Sequence, residues 1–183
     1  MQRRAGRGLL SMVRPILRYG EPLLHDVSAA VPPDAVTAPS TRALIADLLD
    51  TLRDAHGVGL AAPQVGIRQR ICIVDVSAGQ RPEDLLVLVN PAFEARDGLQ
   101  LELEGCLSLP GIEATVARPA RVRVRHLDRD GRERTLVGDG LLARALQHEI
   151  DHLDGVLFVD RVPAIARRLL LRRLRQRRRK EGW

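Results

Sequence analysis

The sequence predicts an α+β fold. Three observations lead there. Residues 40–56 and 138–155 carry apolar residues at helical spacing, and short β-type runs lie between them at 70–76, 85–90 and 121–137. The regular strand–helix–strand alternation that a parallel sheet needs is missing from the pattern.

Each element has a local reason. Residues 1–12, "MQRRAGRGLLSM", read as a flexible, Arg/Gly-rich extension before a domain that starts near residue 13. The stretch "VPPDAVTAPS" (31–40) holds three prolines and reads as a loop. In the helix over 40–56, Leu44, Leu48 and Leu52 share a face, Ser40 or Thr41 is placed to cap the start, and Gly57 to stop the end. "RICIVDV" (70–76) and "LLVLVN" (85–90) are strand-like. "RVRVRHLDRDGRERTLV" (121–137) alternates Val with Arg about an Asp-Gly turn, the pattern of a hairpin with one wet face. The helix over 138–155 has Asp139 as its candidate N-cap and Gly155 as its stop. A last helix is expected over 163–180.

Composition bounds the function. A chain of 183 residues suits one domain with a tail, here 13–165 followed by a basic stretch at 166–183. Aromatics are only 2% of it, so aliphatic side chains must fill the core. No apolar run approaches the ~20 residues of a membrane span, and the basic N-terminus lacks the apolar core of a signal peptide. Two cysteines make no disulfide framework, so a cytoplasmic location is expected. The net charge of +6 is concentrated. Residues 167–180, "RRLLLRRLRQRRRK", hold nine of the 29 basic residues and no acid, leaving 20 against 23 acidic residues elsewhere. A polyanionic partner would therefore meet the tail.

The chemistry starts at "LQHEIDHL" (146–153). Four residues turn a helix through about 400°, so His148 and His152 project from one face with Glu149 beside them. That set can hold a metal next to a base, although HExxH fixes only three positions and a helix with two satisfied histidines matches it as well. A third ligand is needed. Downstream, Asp154 and Asp160 are poorly placed. Upstream, "ELEGCLSLPG" (102–111) sets Cys106 in what reads as a tight polar turn, and a thiolate suits a borderline-soft divalent ion. Cys72, inside "ICIVDV", reads as a small buried hydrophobe. In "HGVGLAAPQVG" (56–66) the glycines permit close backbone approach, and Gln64 is a lone amide among apolar residues.

"GVGLAAPQ", "EGCLS" and "QHEIDHL", in that order, resemble the three motifs of the peptide deformylases. The resemblance covers most of residues 13–165, including "ILRYGEPLLH" and "LDGVLFVDRV". It implies antiparallel sheets packed around a central HExxH-bearing helix, with a helix at the C-terminus. It also implies a hydrolase that removes the formyl group from the N-formylmethionine of new polypeptides and releases formate. By the same resemblance Cys106, His148 and His152 are the metal ligands, a metal-bound water is the nucleophile, and Glu149 is the general acid/base. Gln64 and the backbone N–H of Leu107 would stabilise the developing oxyanion. Gly59 and Gly105 would pair with the peptide backbone, Val58, Leu141 and Ala145 would wall the methionine pocket, and Glu104 would orient the turn. The family typically uses Fe(II) in cells, with Zn, Ni or Co able to occupy the same ligands. The basic tail, 167–180, resembles a family-like route to ribosomal RNA, and a monomer is expected. Two other readings compete. A general metallopeptidase would want a downstream Glu or His ligand, which is missing from the sequence pattern, and an idle RNA-binding protein would have no need of Cys106, Gln64 and Glu149 together.

Overall fold

The computed structural model describes residues 11–182, so residues 1–10 of the expected N-terminal extension lie outside the described residues. The next two residues contact a helix: Ser11 Oγ donates to Asp50, and the Met12 N–H donates to Asp47.

That helix is α1 (Pro39–Asp54). Leu44, Leu48 and Leu52 are all buried, on the shared face the spacing predicts. Its ends differ from expectation. The N-cap is Ala38 with Pro39 in the first turn, where a missing N–H costs nothing. Thr41 lies inside the helix and donates its hydroxyl to the carbonyl of Ala35. At the other end the left-handed residue is His56 (φ 52°), not Gly57. The N–H of His56 reaches Arg53 O and that of Gly57 reaches Leu52 O, which closes the helix with two backbone bonds.

Seven strands follow in two sheets. β1 (Gly59–Ala61), β2 (Ile71–Val74), β3 (Leu86–Asp97), β6 (Arg121–Leu127) and β7 (Glu133–Asp139) form a five-stranded antiparallel sheet in the order β1-β2-β3-β6-β7. β4 (Gln100–Gly105) and β5 (Glu113–Arg118) form a separate two-stranded sheet. The hairpin β6–β7 turns at Asp128–Gly131 as expected, with Val122 and Val124 inward and the arginines outward. β3 runs well past residue 90, because register shifts after Val89 and Phe93 absorb Pro91 without ending the ladder. β4 takes in the start of the 102–111 segment that reads as a turn, β1 lies in the glycine-containing stretch 56–66, and β5 falls where the sequence pattern assigns no element.

α2 (Gly140–Leu153) carries the HExxH sequence and packs on β1, β2 and β7. Leu146, Ile150 and Leu153 join Cys72, Val74, Leu88, Val122 and Val124 in one apolar cluster. At roughly 1.5–3 kcal/mol for each fully buried aliphatic side chain, this cluster holds α2 against the sheet. Asp139 occupies the N-cap, but its side chain makes no capping bond. Gly155, in left-handed geometry, does end the helix. A Cβ there would come within 2.7 Å of the carbonyl carbon of His25. The chain closes with α3 (Ala164–Glu181), which buries Leu170, Leu171 and Leu174 against Leu109, Ile112 and Phe158. Among the described residues no helix is long and apolar enough to cross a membrane.

Candidate metal centre

Helical spacing puts His148 and His152 one turn apart on α2, with ring centroids 4.9 Å apart. Cys106 directly follows β4 and meets them from the small sheet. One ligand atom from each of Cys106, His148 and His152 lies within 4.8 Å of the others, and Cys106 Sγ is 3.3 Å from His152 Nε2. His148 Nδ1 lies 3.2 Å from the carboxylate of Glu104, which leaves Nε2 for an ion. A soft thiolate with two imidazoles suits Fe(II), Zn, Ni or Co rather than a hard cation.

Glu149 is 4% exposed, and its Oε2 has no hydrogen-bond partner. Burial is the main reason its carboxyl is pushed up to about 7, against the pull of His148 and Arg118. An orphaned carboxylate oxygen beside three convergent ligand atoms is what a metal site with a general base would present. His152 is 1% exposed, and burial holds its imidazole well below the usual range. His148 is raised, because hydrogen bonds to Cys106 and Glu104 outweigh the burial that opposes its charge.

Gln64 is fixed at both ends of its amide. Its Oε1 accepts from the Ala61 N–H at 2.9 Å, while Nε2 points to Ser108 Oγ (3.2 Å) and Cys106 Sγ (3.7 Å). A cavity of about 720 Å³ opens beside this group. Val58, Gly59, Gly105, Leu107, Leu141 and Ala145 all line it. So do Gln64, Glu104, Cys106, His148 and Glu149, while His152 sits behind the wall. Gly59 has a packing reason: a Cβ on it would stand 2.8 Å from both Cγ and Cδ of Glu149. Cys72 is fully buried, with its thiol raised by desolvation, in keeping with a core role. Asp154 pairs with Arg70 and Asp160 with Arg167, so neither joins the cluster.

Sequence reasoning missed the charges behind the histidines. Arg118 on β5 binds Glu104 through Nε (2.5 Å) and Nη2 (2.9 Å), and Asp151 through Nη1 (2.8 Å). Arg144 also reaches Glu104 at 2.5 Å, and Arg161 holds Asp151 at 2.5 Å. Arg144 and Asp151 were readable as charges on a helix whose apolar residues mark it as packed, each needing a partner. Arg118 had no such signal.

The sequence profile described as "Polypeptide deformylase" matches residues 13–168. A peptide deformylase of Acidobacterium capsulatum is 45% identical over 174 residues, 94% of this chain and 99% of its own length. The chain belongs to the polypeptide deformylase family. A crystal structure of a peptide deformylase from Legionella pneumophila superposes with a TM-score of 0.86 at 39% identity, covering 93% of this chain and 98% of that one. A deformylase from Acinetobacter baumannii, solved with Met-Ala-Ser bound, gives 0.77 at 35% identity, covering 84% of this chain and 100% of that one. Peptide deformylases are metalloenzymes that remove N-formyl groups from nascent peptides, and the family and fold place this chain among those hydrolases. The α+β architecture, with antiparallel sheets and a C-terminal helix, is as expected.

Proposed function

We propose that this deformylase acts on N-formylmethionine at the start of new polypeptides, with Cys106, His148 and His152 holding one divalent ion per chain. The convergence of those three ligand atoms beside the buried Glu149 carries the reading. When bound, the ion supplies Lewis acidity, polarising the formyl oxygen and acidifying water at neutral pH.

The chain's own groups do the rest. Glu149 accepts the proton of the attacking water and later returns it to the leaving amine nitrogen. A carboxyl held near 7 suits both transfers. As water adds to the formyl carbon and the C–N bond breaks, negative charge passes through the formyl oxygen. Gln64 Nε2 and the Leu107 N–H are the donors that meet it. Gln64 needs no reorganisation for this, because Ala61 already fixes the far end of its amide. Val58, Leu141 and Ala145 wall the methionine side chain, and the main chain at Gly59 and Gly105 pairs with the peptide beyond it. The Acinetobacter baumannii relative, solved with Met-Ala-Ser bound, supports a peptide that begins with methionine as the ligand class. Glu104 orients His148. Fe(II) is the proposed ion in cells, with Zn, Ni or Co as substitutes in purified protein.

Residues 13–165 form the catalytic unit in this reading, in a cytoplasmic monomer, and 166–183 form a basic appendage. With Leu170, Leu171 and Leu174 turned inward, α3 presents arginines to solvent, and ribosomal RNA phosphates are their proposed partner. Ribosome pelleting at rising salt tests this with Arg168→Glu, Arg172→Glu and Arg179→Glu combined, which leaves the inward leucines in place. Equal pelleting of variant and wild type sinks the contact.

The deciding assay is formate release from formyl-Met-Ala-Ser by anaerobically prepared Fe(II) protein, with Glu149→Ala as control. A fall of roughly 10²–10⁴-fold in the variant at equal metal content is expected. Absence of turnover in metal-loaded wild type would overturn the proposal.

A further inference from the structure

The small sheet is built inside out. Along β4, Glu104 is buried, whereas Leu101 and Leu103 are each 60% exposed and Leu99, just before the strand, is 68% exposed. Alternation puts these three leucines on one face. Their cross-strand neighbours on that face are small: Leu101 faces Ala117 and Leu103 faces Thr115. The same face ends at the pair Gly105–Glu113. Leu103, Gly105 and Glu113 also line the catalytic cavity. Three exposed leucines in a row, on a strand that pairs only with β5 among the described residues, form a stripe that normal surface composition does not explain.

We propose that Leu99, Leu101 and Leu103 form a docking strip for apolar residues of the nascent chain just downstream of its formylmethionine. The inference rests on the deformylase reading of the cavity. Continuity names the occupant. The stripe begins in the cavity wall at Leu103 and leads away from it, so a peptide leaving the site in extended form runs onto it. At about 3.3 Å per residue, the four-residue step from Leu103 to Leu99 spans roughly 13 Å, or three to four peptide residues. With methionine in the cavity and the next two residues at its rim, positions four to six of the substrate meet the leucines. A second copy of the chain fits worse, since three side chains fall far short of the ~800 Å² per partner of a stable interface.

The test compares formyl-Met-Ala with formyl-Met-Ala-Ser-X-X-X, where X is Leu, Ser or Glu, on wild type and on L99Q/L101Q. Both substituted positions are outside the cavity wall and exposed, so the fold is retained, which a matching circular dichroism spectrum checks. The expected result is a KM about threefold to tenfold lower for the Leu peptide than for the Ser peptide in wild type, with kcat unchanged. In the double variant that difference disappears, while formyl-Met-Ala turns over as before. Equal KM values for the Leu and Ser peptides in wild type overturn the strip. So does a preference that survives in L99Q/L101Q. If sedimentation shows a wild-type dimer that the double variant dissolves, with the Leu preference untouched, the stripe belongs to a second copy and the proposal falls. Failure of wild type to deformylate formyl-Met-Ala at all overturns the deformylase reading itself, and the strip with it.

Discussion

Arg118→Ala is expected to be the most damaging single change outside the ligand set. The Arg118 and Glu104 side chains are each 4% exposed and Asp151 is 7% exposed, so water cannot replace the lost guanidinium. The variant leaves two buried carboxylates short of a partner, and breaking a buried pair in this way costs about 3–5 kcal/mol. Glu104 retains Arg144 and His148, and Asp151 retains Arg161, so the loss stays within that range. At about 2–4 °C per kcal/mol for a domain of this size, Tm should fall by roughly 6–20 °C. A pH signature accompanies it. Burial alone would raise the Glu104 carboxyl, but hydrogen bonds from His148 and Arg118 override it and hold the group down from 4.5 to about 2. A depressed carboxyl contributes stability that is complete above its unfolded value and is lost as pH falls from there towards the folded one. At about 1.4 kcal/mol per pH unit, the contribution of Glu104 is roughly 3 kcal/mol, lost between about pH 4.5 and 2. In the variant that loss is smaller. Scanning calorimetry at pH 7.5 and at descending pH measures both effects, with Arg167→Ala as control. Arg167 and Asp160 are 44% and 28% exposed, and such a pair is worth at most about 1 kcal/mol. If Arg118→Ala melts with the control, the buried charges are compensated elsewhere and this account of the site's support is wrong.

Three further outcomes follow from the geometry. Gly59→Ala puts a methyl against Glu149 and should lower kcat by about 100-fold, as read by formate release, with a fall in stability of about 1–3 kcal/mol from overpacking; wild-type kcat would mean that Glu149 does not work from this position. Removing the ion with a chelator should abolish turnover and also lower Tm, since an ion at 100 times its Kd stabilises by about 2.7 kcal/mol; a melting curve blind to the chelator would contradict ligands that join β4 to α2. His126 faces inward beside Val122 and Val124, and burial lowers its pKa. Its folded value lies below the unfolded one, so stability should decline as pH drops through about 6.5, the unfolded value. Urea midpoints at pH 7.5 and 5.5 should differ less in His126→Gln than in wild type, and equal differences would remove His126 as the cause.

The parts of this fold legible in the sequence were those whose apolar side faces in. Leu44, Leu48 and Leu52 gave α1, the Val/Arg alternation gave β6 and β7, and "LLARALQHEIDHL" gave α2. The small sheet was not legible, because its polarity is inverted. "LELEG" puts Leu103 in solvent and Glu104 in the interior, so the usual rule reads the segment as a polar turn. Arg118, fourteen residues on, together with Arg144 and His148 makes a buried Glu104 tolerable, and periodicity carries no information about such pairings. The ends of α1 failed for a smaller reason. His56 adopts the left-handed geometry next to Gly57, where two backbone bonds already fix the turn. At the candidate site, spacing gave His148, Glu149 and His152. Ligand chemistry pointed to Cys106, and Gln64 stood out as a lone amide; the roles of the other positions came from motif resemblance, and the ion pairs behind them came from neither.

The inverted sheet is consistent with the demands of the site. Cys106 hangs from β4, while both histidines belong to α2, and β4 shares no ladder with the five-stranded sheet on which α2 rests. Something must therefore set the position of one element against the other. Apolar contact is non-directional and tolerates sliding, whereas ligand distances must hold to a few tenths of an ångström. A guanidinium fork bonded to carboxylates on two elements allows no such sliding. Arg118 grips Glu104 on β4 with two nitrogens and Asp151 on α2 with the third. Glu104 then uses the same carboxylate on His148 Nδ1, so the group that fixes the strand also turns the ring. An all-apolar interface of equal area could match this arrangement in stability. It would leave the distance from Cys106 Sγ to the two imidazoles to chance.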